Sequence, residues 1–228
     1  MKLLHLFAAL ALVGSLGAAR AADDSKPFDT FGFRQPIRLA CIGDSITQGG
    51  TYVSVIGPAL GKQWAVTNLG VSGATLLKNG DKAYNRLGQY AQAMQLKPDV
   101  ATILLGTNDS KPQNWSKKAE FEADYKSMID DLRKANSKVV IYCCLPPPAG
   151  PNKFGINGGI IKDEIGPLVR KIAKDANCHV IDLHAALDGK PGVLKDNVHP
   201  NGNGHQLLAA AIYQALTGKP MPALVPAR

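Results

Sequence analysis

A chain of 228 residues that is 45% hydrophobic and 19% charged is long enough to enclose one sizeable core. It is too ordinary in composition for a disordered, collagenous or disulfide-dense protein. Only 6% of residues are aromatic, whereas 23 Gly and 15 Pro point to many tight turns between short elements, as in layered α/β domains. The formal net charge of +8 comes from Lys and Arg scattered among acids, the pattern of a solvated surface. The densest basic runs, Lys117-Lys118 and Arg133-Lys134, share an expected helix with Glu120, Glu122, Asp124, Asp130 and Asp131. No nucleic-acid motif accompanies them.

The first segment stands apart from the core. Met1-Lys2 is followed by 17 residues without a formal charge, Leu3 to Ala19, and then by Ala19-Arg20-Ala21. This is the pattern of a signal peptide, residues 1–21, with small residues at an A-x-A-like cleavage site; the run is shorter than the roughly 20 residues needed to span a bilayer. No Cys follows the site to carry a lipid anchor, and no other stretch is long and apolar enough to cross a membrane. The expectation is an exported protein, periplasmic or extracellular, with no stable membrane insertion once the leader is gone. Cleavage would remove Lys2 and Arg20 and no acid, leaving a charge of +6 on 207 residues.

Beyond a lead-in over residues 22–35, a single domain is expected over 36–228. Five apolar, β-prone runs recur: Ile37 to Ile42, Ala65 to Leu69, Val100 to Leu105, Val139 to Leu145 and His179 to Leu183. Each is followed by a Gly/Asn/Pro-rich turn and most by an amphipathic stretch. Helices are expected at Tyr52–Leu60, Leu87–Leu96, Lys118–Ala135, Ile160–Ala176 and His205–Leu216. Alternation of strand and helix implies a parallel sheet covered on both faces, a three-layer α/β/α sandwich. With five strands the flavodoxin-like order 2-1-3-4-5 is the most economical, and such sheets bind ligands outside the strands' carboxyl ends.

The segments after those strands carry the chemistry. They are Gly43-Asp44-Ser45-Ile46-Thr47, Gly70-Val71-Ser72-Gly73, Gly106-Thr107-Asn108-Asp109 and, beyond strand five, Asp196-Asn197-Val198-His199-Pro200. A nucleophilic hydrolase needs an activated hydroxyl, a base, a group to orient the base, and donors for the developing oxyanion. Ser45 is the candidate nucleophile; its alternative role is a cap for the following helix. His199 can accept the Ser45 proton and return it to the leaving group, and Asp196, three residues earlier, can fix the His199 tautomer. The candidate oxyanion donors are the backbone N–H groups of Ser45 and Gly70 and the side-chain amide of Asn108. Read singly, Gly70 and Gly106 are turn glycines and Asn108 an Asx-turn, but those readings must all hold together after successive strands.

Together these residues resemble the SGNH hydrolases, or GDSL esterases/lipases, whose namesake residues map onto Ser45, Gly70, Asn108 and His199. The family's first block is similar to Gly43 to Thr47, and its terminal D-x-x-H-P to Asp196 to Pro200. The resemblance covers about residues 36 to 216. It implies the SGNH hydrolase fold, a serine mechanism without metal or cofactor, and ester substrates. The stretch Gly106 to Lys111 followed by Trp115 resembles bacterial carbohydrate acetylesterases, including those acting on sialate or xylan-type substrates. Expected, then, is a serine esterase acting on a small ester or an acetylated glycan through an acyl-enzyme on Ser45. The alternatives are a lysophospholipase or thioesterase sharing the same residues, or a glycan-binding protein with a decayed site.

Trp115, Phe154 and Asn157 lie on loops near the expected cleft, as substrate contacts or as local packing. Asp182 and His184, spaced i, i+2 at a strand end, suit a structural or rim role; His179 and His205 are poor candidates for the base. Asp109 is expected to brace the turn holding Asn108. Cys41, Cys143, Cys144 and Cys178 lack zinc spacing, which leaves buried thiols or one structural disulfide.

Overall fold

The computed structural model describes residues 26–222. The expected signal peptide, residues 1–21, lies outside the described residues. Five strands, β1 (Ile37–Gly43), β2 (Trp64–Gly70), β3 (Val100–Leu104), β4 (Val140–Cys144) and β5 (His179–Ile181), form one parallel sheet in the order β2-β1-β3-β4-β5. The helices are α1 (Ser45–Gln48), α2 (Thr51–Leu60), α3 (Gly88–Leu96), α4 (Pro112–Trp115), α5 (Phe121–Ala135), α6 (Gly158–Ile160), α7 (Gly166–Asp175), α8 (Leu183–Leu187) and α9 (Gly202–Thr217).

Alternation along each strand splits the core in two. In β1 the side chains of Ile37, Leu39 and Cys41 join one cluster with α2, α8 and α9, while Ala40 and Ile42 join the other with α3, α5 and α7. Both faces of the sheet are therefore covered, and the central strands read as continuous apolar runs because neither face meets water. Helix α5 buries Phe121, Tyr125, Met128, Ile129 and Leu132, positions three or four apart that form one stripe. Acids in its first turn and Arg133 and Lys134 in its last complement the helix dipole.

Several boundaries differ from expectation. The expected helix from Ile160 is broken into α6, a π-helical turn at Ile161–Ile165 and α7; Pro167 at the start of α7 has no N–H to continue a regular ladder. Strand β5 stops at Ile181 because Asp182 turns the chain into α8, accepting the Ala185 N–H at 2.8 Å. Helix α9 starts three residues early, capped by Asn201, whose Oδ1 accepts from Gly204. The lead-in is tied to the domain: Phe28 is buried, its ring 5.5 Å from Trp64, and its N–H donates to Leu216. All four cysteines are buried free thiols, so the disulfide alternative is not realised in this structure.

Ile129 is fully buried where α5 meets the sheet. Ile129→Ala should cost about 2–5 kcal/mol, the range for large-to-small core truncations, read as a lower denaturation midpoint at unchanged m-value.

Candidate active site

The four polar segments meet at the carboxyl edge of the sheet. Ser45 is the first residue of α1, immediately after β1. The turn is tight: the Asp44 carboxylate accepts the Ile46 N–H at 2.9 Å, and a Cβ on Gly43 would lie 2.0 Å from Thr47 Oγ1, so only glycine fits there. Strand β2 fastens the same turn through Asn68, whose Nδ2 donates to Thr47 O at 2.8 Å, and through Gln48, whose Oε1 accepts the Ser72 N–H at 2.6 Å.

On the opposite side, Asp196 organises its own turn. Its Oδ1 accepts the backbone N–H groups of Val198 and His199 at 3.1 and 2.7 Å, and its Oδ2 lies 2.8 Å from His199 Nδ1. Burial pushes the Asp196 carboxyl up, but these N–H groups and the imidazole outweigh it and hold the group below its ordinary value. A carboxylate can only accept, so the Nδ1 proton points at Asp196 and His199 Nε2 offers its lone pair to Ser45 Oγ, 2.9 Å away. Asn197 between them adopts φ +63°, and it bonds Gly150 N and Pro151 O at 2.8 and 2.7 Å. The turn is thereby pinned to the loop after β4.

Phe154 on that loop sets its ring edge against the His199 ring, centroids 5.3 Å apart. Together with Ser45, Ser72, Gly73, Thr107, Asn108, Lys111, Ile156, Val198 and His199 it lines a cavity of about 200 Å³. This is smaller than the roughly 300–1,000 Å³ of sites for drug-sized ligands.

The expected donors divide. Asn108 lines the cavity on the 3₁₀ turn after β3, its Nδ2 directed to Ala74 O at 3.2 Å and Asp44 Oδ2 at 3.5 Å. Gly70 does not line it. Its N–H is taken by Asn68 Oδ1 at 2.9 Å, and a Cβ there would fall 2.2 Å from Gln48 N. The glycine is needed for the close approach of α1 to β2, whereas the cavity wall three residues on is Gly73 at φ +79°. The backbone N–H groups of Ser45 and Gly73 have no acceptor among the described residues. The signal for Gly73 was a second glycine in the same turn, one that only the path of the chain distinguishes from Gly70.

Of the three loop contacts, only Phe154 reaches the cavity. Trp115 is buried against Phe121 and donates from Nε1 to Glu164 at 3.0 Å. Asn157 caps α6 by accepting from Ile160 and donates its backbone N–H to Ser110 Oγ. Lys111, Ser72 and Ile156 were missed as lining residues. His205 stacks on Tyr52, His179 stacks on Tyr142, and Asp182 caps α8 and pairs with Arg170. No group of three or more His, Cys, Asp or Glu side chains among the described residues is placed to hold a metal ion.

The GDSL-like lipase/acylhydrolase family model matches residues 41–207. The chain belongs to that family. The acetylxylan esterase of Xylanibacter ruminicola is 38% identical over a match covering 79% of this chain and 43% of that protein, so the chain spans less than half the length of this relative. Among solved structures, the acetyl xylan esterase AlAXEase superposes with a TM-score of 0.65 at 23% identity, covering 79% of this chain and all of that one. The carbohydrate acetylesterase Est24 of Sinorhizobium meliloti gives 0.64 at 18% identity, covering 78% and 97%. These likenesses establish the SGNH hydrolase fold, with the strand order expected for this family.

Asp109 is fully buried behind the cavity and accepts the backbone N–H groups of Leu76 and Leu77 at 3.0 and 2.8 Å. It fastens the loop that follows Gly73 to the turn that carries Asn108. Burial pushes Asp109 up to about 7 and Asp44 up to about 6, from an ordinary value near 3.8. The folded state therefore holds these protons more tightly than the unfolded chain, and stability is lost as pH rises from about 4 to about 7. Asp109→Asn cannot titrate. Its melting temperature should fall less steeply over that interval than the parent's, and its activity should drop by up to about 10²-fold through misplacement of the cavity wall.

Proposed function

We propose that this chain is a serine esterase that removes acetyl groups from carbohydrate through an acyl-enzyme on Ser45. The observation that carries the reading is the continuous relay Ser45 Oγ to His199 Nε2 at 2.9 Å and His199 Nδ1 to Asp196 at 2.8 Å, opening on a small cavity. Ser45 Oγ attacks the ester carbonyl carbon as its proton passes to His199 Nε2. Asp196, held ionised by its backbone donors, steadies the imidazolium that forms. The oxyanion receives the Ser45 and Gly73 N–H groups and the Asn108 amide, with Gly73 in the role first expected of Gly70. His199 then protonates the departing sugar oxygen, and the C–O bond breaks to leave acetyl-Ser45. A water molecule, deprotonated by His199, attacks the acyl carbon; the bond to Ser45 Oγ breaks, His199 returns its proton to that oxygen, and acetate leaves.

A cavity of about 200 Å³ favours a short acyl group over a long chain, and the relative from Xylanibacter ruminicola, an acetylxylan esterase by name, supports a carbohydrate as the alcohol. The uncharged run Leu3 to Ala19 supports export, which suits a polymeric substrate outside the cytoplasm. No helix among the described residues is long and apolar enough to cross a membrane.

Acetate release from acetylated xylan-type oligosaccharides should fall to background in Ser45→Ala at matched circular dichroism. Asn108→Ala should lower kcat by about 10²–10³-fold, the usual cost of one oxyanion donor. Preference for long-chain over acetyl esters would refute the reading, as would full acetate release by Ser45→Ala.

A further inference from the structure

Resting on the esterase reading above, the arrangement of three lysines around the cavity carries it one step further. Lys111 lines the cavity itself, and its stem passes the loop at Gly155, where an added Cβ would lie 4.0 Å from Lys111 Cγ. Lys82 Nζ donates to the carbonyl oxygen of Ser72, a lining residue, at 2.9 Å. Lys153 Nζ sits 5.7 Å from the centroid of Phe154, the aromatic wall. The three cations thus lie beside residues that line the cavity, on three separate segments of chain.

The acids nearby offset only part of this charge. Asp81 pairs with Lys111 at 3.6 Å and also accepts from Asn114 at 3.0 Å and Gln113 at 3.3 Å, which hold its carboxylate toward α4. Asp196 is committed to His199. Asp44 and Asp109 are sealed behind the wall. Lys82 and Lys153 are exposed with no carboxylate within ion-pair distance among the described residues. A rim with more cations than exposed acids, beside an apolar wall, favours an incoming ligand of negative charge.

We propose that Lys111, Lys82 and Lys153 form a subsite for an acidic group on the carbohydrate, so that the preferred ester is borne by a glycan carrying uronate carboxylates near the acetylated sugar. Lysine suits this role because its compact charge on a flexible stem follows a carboxylate whose position varies along a polymer. The acetyl group enters the cavity, and the carboxylate of the same or a neighbouring residue meets the rim.

The test compares initial rates of acetate release from acetylated xylo-oligosaccharides with and without glucuronate side groups, at matched acetyl content and at low and high salt. The expected ratio of kcat/KM, acidic over neutral, is about three- to tenfold at low salt, from two or three partly exposed ion pairs. It should shrink as salt screens them. Lys82→Gln, Lys111→Gln and Lys153→Gln should each lower the ratio, and the triple variant should bring it close to one. Lys174→Gln, on α7 well away from the cavity, should leave it as in the parent. A parent ratio at or below one, or a ratio that the rim variants leave intact, overturns the acidic subsite alone. Failure to release acetate from either glycan while p-nitrophenyl acetate is still cleaved overturns the carbohydrate reading and the subsite with it.

Discussion

Everything at the sheet edge depends on how its loops are fastened to one another by side-chain to backbone hydrogen bonds, buried at Asp109 and nearer the surface at Asn68, Gln48 and Asn197. A parallel sheet delivers the ends of β1, β2 and β3 side by side, but it does not by itself fix side chains to within a few tenths of an ångström. That precision comes from groups around the cavity that do not line it. Asn68 and Gln48 lock the Ser45 turn to the β2 loop. Asp109 locks the β2 loop to the Asn108 turn. Asn197 locks the His199 turn to the loop after β4. Gln48 and Asp109 accept backbone N–H groups that secondary structure leaves unpaired, while the Asn68 and Asn197 amides donate to free carbonyls; the buried Asp109 bonds are the costliest to lose.

The fastening has an electrostatic cost that the fold absorbs elsewhere. Asp44 and Asp109 are both fully buried, and Asp44 adds to the upward pressure on Asp109. Neither has an ion-pair partner among the described residues; their charge is offset by the backbone donors of Ile46, Leu76 and Leu77. Asp196 differs in its exposure and in its partner. It also receives two backbone N–H groups, yet it is partly solvated and faces an imidazole, so it is held ionised where the other two resist ionisation. Three aspartates at one sheet edge thus split into two scaffold groups and one that remains charged beside the histidine.

Much of this could be read from the residues alone. The strand order and the positions of Ser45, Asn108, Asp196 and His199 follow from apolar runs and from the polar segments that end them, because both depend on local pattern. Errors fell where a distant contact decides the outcome. Nothing local to Gly70 reveals that Asn68 takes its N–H, or that α1 presses against its Cα. Trp115 stands on a loop in the sequence, yet Phe121 and Glu164 draw it inward. The break between α6 and α7 hinges on Pro167, whose missing N–H was visible, although its consequence for the ladder was not.

Charge makes the same point at larger scale. A net charge of +8 spread along the chain carries no address, and as a composition it suggests only a basic surface. Folding converts part of it into position. Lys82, Lys111 and Lys153 are separated by tens of residues, yet the β2 loop, the β3 turn and the β4 loop are neighbours because β1, β3 and β4 are consecutive in the sheet and β2 flanks β1. The topology that assembles Ser45, His199 and Asn108 therefore gathers the lysines around the same opening. Rim side chains on this scaffold can be substituted without touching the fastenings of Asn68, Asp109 and Asn197 that hold Ser45, Asn108 and His199 together.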